Sequence, residues 1–139
     1  MPEQYLRALR EPGQRVNPLF PFLGVKVERL TPERVVLALP FREDFIQGGG
    51  VIAGGIMATL ADEAMAHVVL ANLDEGKTTA TIEMSLRFLK PIKKGAIVAE
   101  AGLVKKGRQV LAVEAKIMDE QGQLLALAGA SFMVVDIKP

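Results

Sequence analysis

Residues 54–72, GGIMATLADEAMAHVVLAN, constrain this chain more than any other stretch. After the opening Gly54-Gly55 there is no glycine or proline, alanine, leucine and methionine dominate, and the length allows about five helical turns. The apolar residues Ile56, Met57, Leu60, Ala61, Ala64, Val68 and Ala71 cover most of the circumference, so the helix must be buried on several sides. The other long segments read as strands. Residues 25–30 and 34–39 flank Thr31-Pro32-Glu33 as a hairpin. Residues 78–89, 97–105, 110–118 and 124–135 are parted by turns at 91–95, 106–108 and 119–122, each carrying glycine, and read as an antiparallel meander. The expectation is an α+β fold: one long central helix wrapped by a curved antiparallel sheet of about six strands.

The 139 residues suit a single domain, 1–139, in which 1–22 form an N-terminal helix and a capping segment. Tyr5, Leu6 and Leu9 fall at helical spacing, Glu11-Pro12-Gly13 ends that helix, and the proline-punctuated run 17–22 follows. A sheet wrapped about one helix leaves its outer face and edges uncovered, and runs such as ASFMVV are too apolar for a solvated surface. A homodimer at least, or a homotetramer, is expected. Seventeen basic against sixteen acidic residues lack the positive excess of a nucleic-acid binder. With no cysteine, disulfides and thiol nucleophiles are excluded, and with one histidine, His67, a histidine-rich metal centre is excluded too. The N-terminal residues lack the pattern of a secretion signal, and the uncharged run 124–135 is too short to span a bilayer. A cytoplasmic protein without membrane or metal is the expectation.

Thr59, Asp62, Glu63 and Ala66 share one face of the helix and break its apolar pattern. Carboxylates on so apolar a helix are costly unless paired or used, although they would equally mark its solvent side. Gly54 and Gly55 place backbone N–H groups at the helix N-terminus, where the dipole favours developing negative charge; close packing is the other use of such a pair. His67 lies about 500° around the helix from Asp62, which points to a structural role beside Glu63. Lys90, Lys93 and Lys94, and Lys105, Lys106 and Arg108, form two basic clusters that suit either phosphates or solvated turns, and Arg87 stands within a strand. Phe20, Phe22, Phe45, Met57 and Met65 suit the lining of an apolar pocket or the core.

Taken together, QGGGVIAGGIMATLADEA (47–64), TIEMSLRFLKP (81–91) and Gly95 resemble the hotdog-fold acyl-CoA thioesterases of the phenylacetate-degradation, or PaaI-like, type. The resemblance runs from about residue 23 to 135. It implies that Asp62 is the catalytic carboxylate, acting as general base or nucleophile, and that the Gly54 N–H polarises the thioester carbonyl. It also implies positioning roles for Gln47 and Thr81, substrate contacts from Gly55, Arg87, Lys90, Lys93 and Arg108, and a site at a dimer interface. Coenzyme A enters only as part of the substrate, and no cofactor is implied. Two departures stand out: Ala53 occupies the family's histidine position and Gln47 its asparagine position. The loss of the histidine opens the alternative of a non-catalytic acyl-CoA-binding or sensing domain. Hydratase chemistry ranks below both, because it wants a histidine beside a carboxylate and His67 is poorly placed.

Overall fold

The computed structural model describes residues 2–137. Helix α1 (Pro2–Leu9) and helix α2 (Leu19–Leu23) precede the hairpin of β1 (Lys26–Leu30) and β2 (Val35–Leu39). A short 3-10 turn (Glu43–Phe45) leads to the long helix α3 (Gly54–Leu70). Then come β3 (Lys77–Phe88), β4 (Ile97–Lys106), β5 (Val110–Met118) and β6 (Leu124–Asp136). One long helix against a six-stranded antiparallel sheet is the hotdog arrangement expected from the sequence.

The sheet order is β1-β2-β4-β5-β6-β3, so the expected four-strand meander holds only for β4, β5 and β6. Strand β3 pairs with β6 at the far edge. The reason lies in the helix: α3 crosses under the sheet, and the chain leaving its end returns along it as the outermost strand. The link from β3 to β4 is therefore a crossing rather than a hairpin turn, fastened where the Leu89 and Lys90 N–H groups donate to the Leu125 carbonyl.

Helix α3 ends at Leu70, two residues short of the expected limit, because the Asn72 side chain donates to the carbonyls of Val68 and Pro32, both at 2.8 Å. Its buried side is Met57, Leu60, Ala61, Ala64, Met65, Val68 and Val69, facing Leu37, Ala99, Leu111, Val113, Ile117 and Phe132 from the inner sheet. Alternation along β5, with Leu111, Val113, Ala115 and Ile117 inward, sets this register, since a one-residue slip would turn the whole set outward. Full burial of each large side chain contributes about 1.5–3 kcal/mol.

Residues 17–22 do more than cap an edge. They supply most of α2, whose Phe20 and Leu23 enter the core, and Gly24 at φ +88° closes it by donating to the Phe20 carbonyl. Leu9 of α1 is buried beside them. No helix among the described residues is long and apolar enough to cross a membrane.

Candidate active site

Two faces of α3 carry its polar residues, and they are held in different ways. On the face toward β3, Asp62 is half-buried, and its carboxylate accepts a 2.9 Å hydrogen bond from the Thr81 hydroxyl. Thr81 pairs with the buried Phe132, which fixes its side chain on the inner side of the sheet despite the exposed edge position of β3. Thr59, one turn before Asp62, spends its hydroxyl on the Gly55 carbonyl at 2.9 Å.

The other face carries a closed network. The Glu63 carbonyl lies 2.6 Å from His67 Nδ1, so that nitrogen must donate, and Nε2 then accepts from the Tyr5 hydroxyl at 2.9 Å. Asn17 Nδ2 donates to the Tyr5 oxygen at 2.9 Å and to the Glu63 carboxylate at 3.5 Å. Burial among Tyr5, Phe20 and the helix lowers the His67 pKa, against the raising effect of the Glu63 carbonyl. Burial likewise raises that of Glu63, with Asn17 opposing and the neighbouring Asp62 charge adding. With both ring nitrogens committed, His67 has no free atom for a substrate. The expected pairing with Glu63 exists, but through the backbone carbonyl and not the carboxylate.

The loop before α3 is shaped by its own backbone. Gln47 bonds N–H to the Val51 carbonyl, its carbonyl receives Gly50 N–H, and its side-chain oxygen accepts from Gly49 N–H. The side-chain NH2 of Gln47 has no partner among the described residues. Ala53 donates to the Phe45 carbonyl, while its own carbonyl receives the Ile56 and Met57 N–H groups and opens the helix. The N–H groups of Gly54 and Gly55 have no acceptor among the described residues. The two glycines differ: a Cβ on Gly54 would lie 2.8 Å from the Phe88 ring, whereas one on Gly55 would meet nothing within 4 Å.

The remaining expected contacts fall in three places. Lys90 and Lys93 lie at the glycine end of α3, since the Ile52 N–H donates to the Ile92 carbonyl between them; Lys90 also donates to Gln123. Arg87 is on the outer face of the sheet, opposite Leu127, and is not brought to Asp62. Arg108 lies in the turn between β4 and β5, at the sheet end away from Lys90 and Lys93. Phe20, Phe45, Met57 and Met65 are core, and Phe22 is 72% exposed.

Eight residues separate Gly54 from Asp62, or about 12 Å along a helix axis. One reacting carbonyl needs both an N–H donor and a base at roughly 3 Å, so these two groups of one chain cannot serve the same carbonyl. The seam where β3 packs on α3 joins them, with the Phe88 ring against Gly54 at one end and Thr81 bonded to Asp62 at the other.

The thioesterase superfamily model matches residues 49–126, the span from the glycine loop to β6. A Saccharolobus solfataricus protein, provisionally named an esterase, is 32% identical over 98% of this chain and 96% of its own length. A thioesterase family protein from Silicibacter pomeroyi superposes with a TM-score of 0.85 at 25% identity, covering 98% of this chain and 99% of that one. A Staphylococcus aureus thioesterase, solved with a glutamine replaced, superposes with a TM-score of 0.81 at 18% identity, covering 88% of this chain and 100% of that one. The same S. aureus protein was also solved with a glutamate replaced. The match spans more than half of the sequence and includes the helix that opens on Gly54, and the chain belongs to the thioesterase superfamily.

Proposed function

We propose that the chain hydrolyses an acyl-CoA thioester to the free acid and coenzyme A. The observation that carries this reading is the Asp62 carboxylate, half-buried on the central helix and oriented by the Thr81 hydroxyl. Asp62 acts as general base, taking a proton from a water that attacks the thioester carbonyl, or as the nucleophile itself. Negative charge developing on the carbonyl oxygen is met by the Gly54 N–H at the positive end of α3. Collapse of the tetrahedral intermediate expels the coenzyme A thiolate, which takes the proton held by Asp62 in the general-base route; in the nucleophile route it leaves an acyl anhydride on Asp62 that water then hydrolyses to the free acid.

The 12 Å between the two groups is the argument for an interface site, with the glycine end of one subunit facing Asp62 of its neighbour. Strand β3 supports this, being a twelve-residue edge strand bonded only on its β6 side, with Ile82, Phe88 and Leu89 more than half exposed. The two residues replaced in the S. aureus thioesterase are fifteen positions apart, the separation of Gln47 and Asp62. A glutamine at position 47 is thus not foreign to such a site, and its free amide NH2 is available to the thioester. Lys90 and Lys93, at the glycine end, fit the coenzyme A phosphates better than Arg87 or Arg108. The PaaI-like assignment, which follows the resemblance, and the cytoplasmic location expected from the sequence pattern belong to this same proposal.

The test is thiol release from short, long and aromatic acyl-CoAs, run beside Asp62→Asn. Loss of a general base predicts a fall of about 100- to 10,000-fold with an unchanged melting temperature. Normal turnover by the variant sinks the assignment, and acyl-CoA binding without turnover by the unmodified protein replaces it with the sensing reading that Ala53 raises.

A further inference from the structure

The second basic cluster lies away from the proposed site, and the proposed chemistry makes no use of it. Strands β4 and β5 run on past Ala101, where the pairing of β4 with β2 stops, to a turn at Gly107. A Cβ on Gly107 would collide with the Val110 carbonyl oxygen, to which its own N–H donates at 3.0 Å, so glycine is needed to close this turn. Lys105, Lys106 and Arg108 are all exposed around it and have no ion-pair partner among the described residues. Residues 102–113 contain no acid to offset them.

Apolar side chains stand in water among these cations. Val104 is 59% exposed, Val110 46% and Met133 44%. Val110 and Met133 are register partners on β5 and β6, and the alternation that turns Leu111 and Phe132 inward turns both of them outward. Lys105 stands in the next row of that face, beside Ala112 and Ser131, and the row ends at Glu83 on the far edge strand. Val104 is the extra residue of the bulge between Leu103 and Lys105. Cations alone would suit any polyanion. Interleaved with aliphatic groups, they suit a surface that is anionic at its headgroups and apolar just beneath. No aromatic ring lies among residues 102–113 on which a nucleic-acid base could stack.

We propose that this corner of the sheet docks on an anionic phospholipid surface. Lys105, Lys106 and Arg108 meet the headgroup phosphates, and Val104, Val110 and Met133 press into the boundary beneath them. The contact is peripheral and needs no spanning helix, so hydropathy along the chain does not report it. It replaces the expectation of a chain without membrane contact, and it does not depend on what Asp62 does.

The experiment is co-sedimentation of the full chain with vesicles of phosphatidylcholine alone or mixed with an equal part of phosphatidylglycerol, at low and high salt. Three cations at the surface predict partitioning roughly 100-fold stronger on the anionic vesicles, with the preference lost at high salt. Lys105→Gln with Lys106→Gln should weaken it about 25-fold. Lys26→Gln with Arg29→Gln, an equal loss of charge on the exposed side of β1, should leave it unchanged. Val110→Thr with Met133→Gln keeps side-chain shape and should weaken binding about tenfold at the same melting temperature and subunit number. Equal binding to both kinds of vesicle, or to neither, overturns the proposal. So does an equal loss from the β1 pair, which would reduce the effect to net charge. Binding untouched by Val110→Thr with Met133→Gln would make the turn a site for any polyanion, nucleic acid included, and a lower subunit number in that variant would give the apolar pair to another copy; either result also overturns it.

Discussion

Gly54 and Gly55 stand side by side at the start of α3, yet the structure requires opposite consequences from replacing them with alanine. At Gly55 a Cβ meets nothing within 4 Å, and the backbone is helical. Exchanging glycine for alanine in a helix gains up to about 1 kcal/mol, and about half of that in a first turn. Gly55→Ala should therefore raise the melting temperature by roughly 2 °C in a chain of this size. The added methyl also stands where a thioester would approach the exposed N–H groups. A displacement of about 1 Å at a reacting centre costs about 100-fold, so kcat/KM should fall by that order while stability rises. At Gly54 the same methyl lies 2.8 Å from Phe88 Cζ and 3.1 Å from Cε1. The ring is 57% exposed and can swing outward, which keeps the cost near about 1 kcal/mol, the low end for overpacking. Phe88→Ala should restore the stability of Gly54→Ala. Melting curves and initial rates on the same preparations decide the matter. A more stable Gly55→Ala with full turnover refutes the docking of substrate at the helix N-terminus, and a less stable one refutes the open space beside it.

Thr81→Val removes the 2.9 Å donor to Asp62; a hydrogen bond to a charged group is worth about 1.5–3 kcal/mol, so kcat/KM should drop roughly 10- to 100-fold and Thr81→Ser should recover it. Tyr5→Phe strips the donor from His67 Nε2 and the acceptor from Asn17, and should cost about 1–3 kcal/mol in urea unfolding with little change in turnover. His67 is held below its ordinary value of 6.5. Its stabilising contribution is complete above that value and is lost on acidification, because the unfolded chain takes up a proton that the buried ring refuses. The slope should not exceed about 1.4 kcal/mol per pH unit, and it should flatten in His67→Gln. Glu63, held above 4.5, acts with the opposite sign: its contribution is complete below 4.5 and is lost as pH rises through its raised value. Glu63→Gln should accordingly stabilise the protein at neutral pH. Ala53→His should leave kcat/KM unchanged in thiol release; a rise of about tenfold would make the missing imidazole the limiting group.

The long helix and the strands were legible because their signals are local. Residues 54–72 carry an uninterrupted apolar surface, and the observed helix differs only where Asn72 turns its side chain back onto Val68 and Pro32. The place of β3 was not legible, since alternation along a strand says which face is buried but not which neighbour it joins. The resemblance singled out Asp62 and Thr81 separately, Thr81 as a group that orients water; that Thr81 bonds Asp62 itself comes from the register of β3 on β6. Arg87 shows the limit of such transfer. It lies six residues beyond Thr81, and the bulge between Thr81 and Glu83 shifts the alternation by one, so its side chain emerges on the opposite face of the sheet. No sequence signal marked that bulge. Nor could the sequence show that Tyr5 and Asn17, far from the helix along the chain, would close the network on His67 and Glu63.

That network explains how the chain tolerates two adjacent carboxylates on a buried helix. Glu63 and His67 are tied to the N-terminal segment through Asn17 and Tyr5, with both ring nitrogens of His67 committed, and these ties fix the rotation of α3 about its axis. That rotation turns Asp62, one residue before Glu63, toward Thr81 of β3. Ala53 fits the same division of labour. A histidine there would have a loop to hold and a carbonyl to polarise, but the loop is already held by the Ala53 N–H on Phe45 and by the Gln47 turn. On the proposed reading, the carbonyl would meet the N–H groups left without an acceptor at the helix end. What the position cannot do without is a backbone that starts the helix at Gly54, and alanine supplies that as well as histidine would.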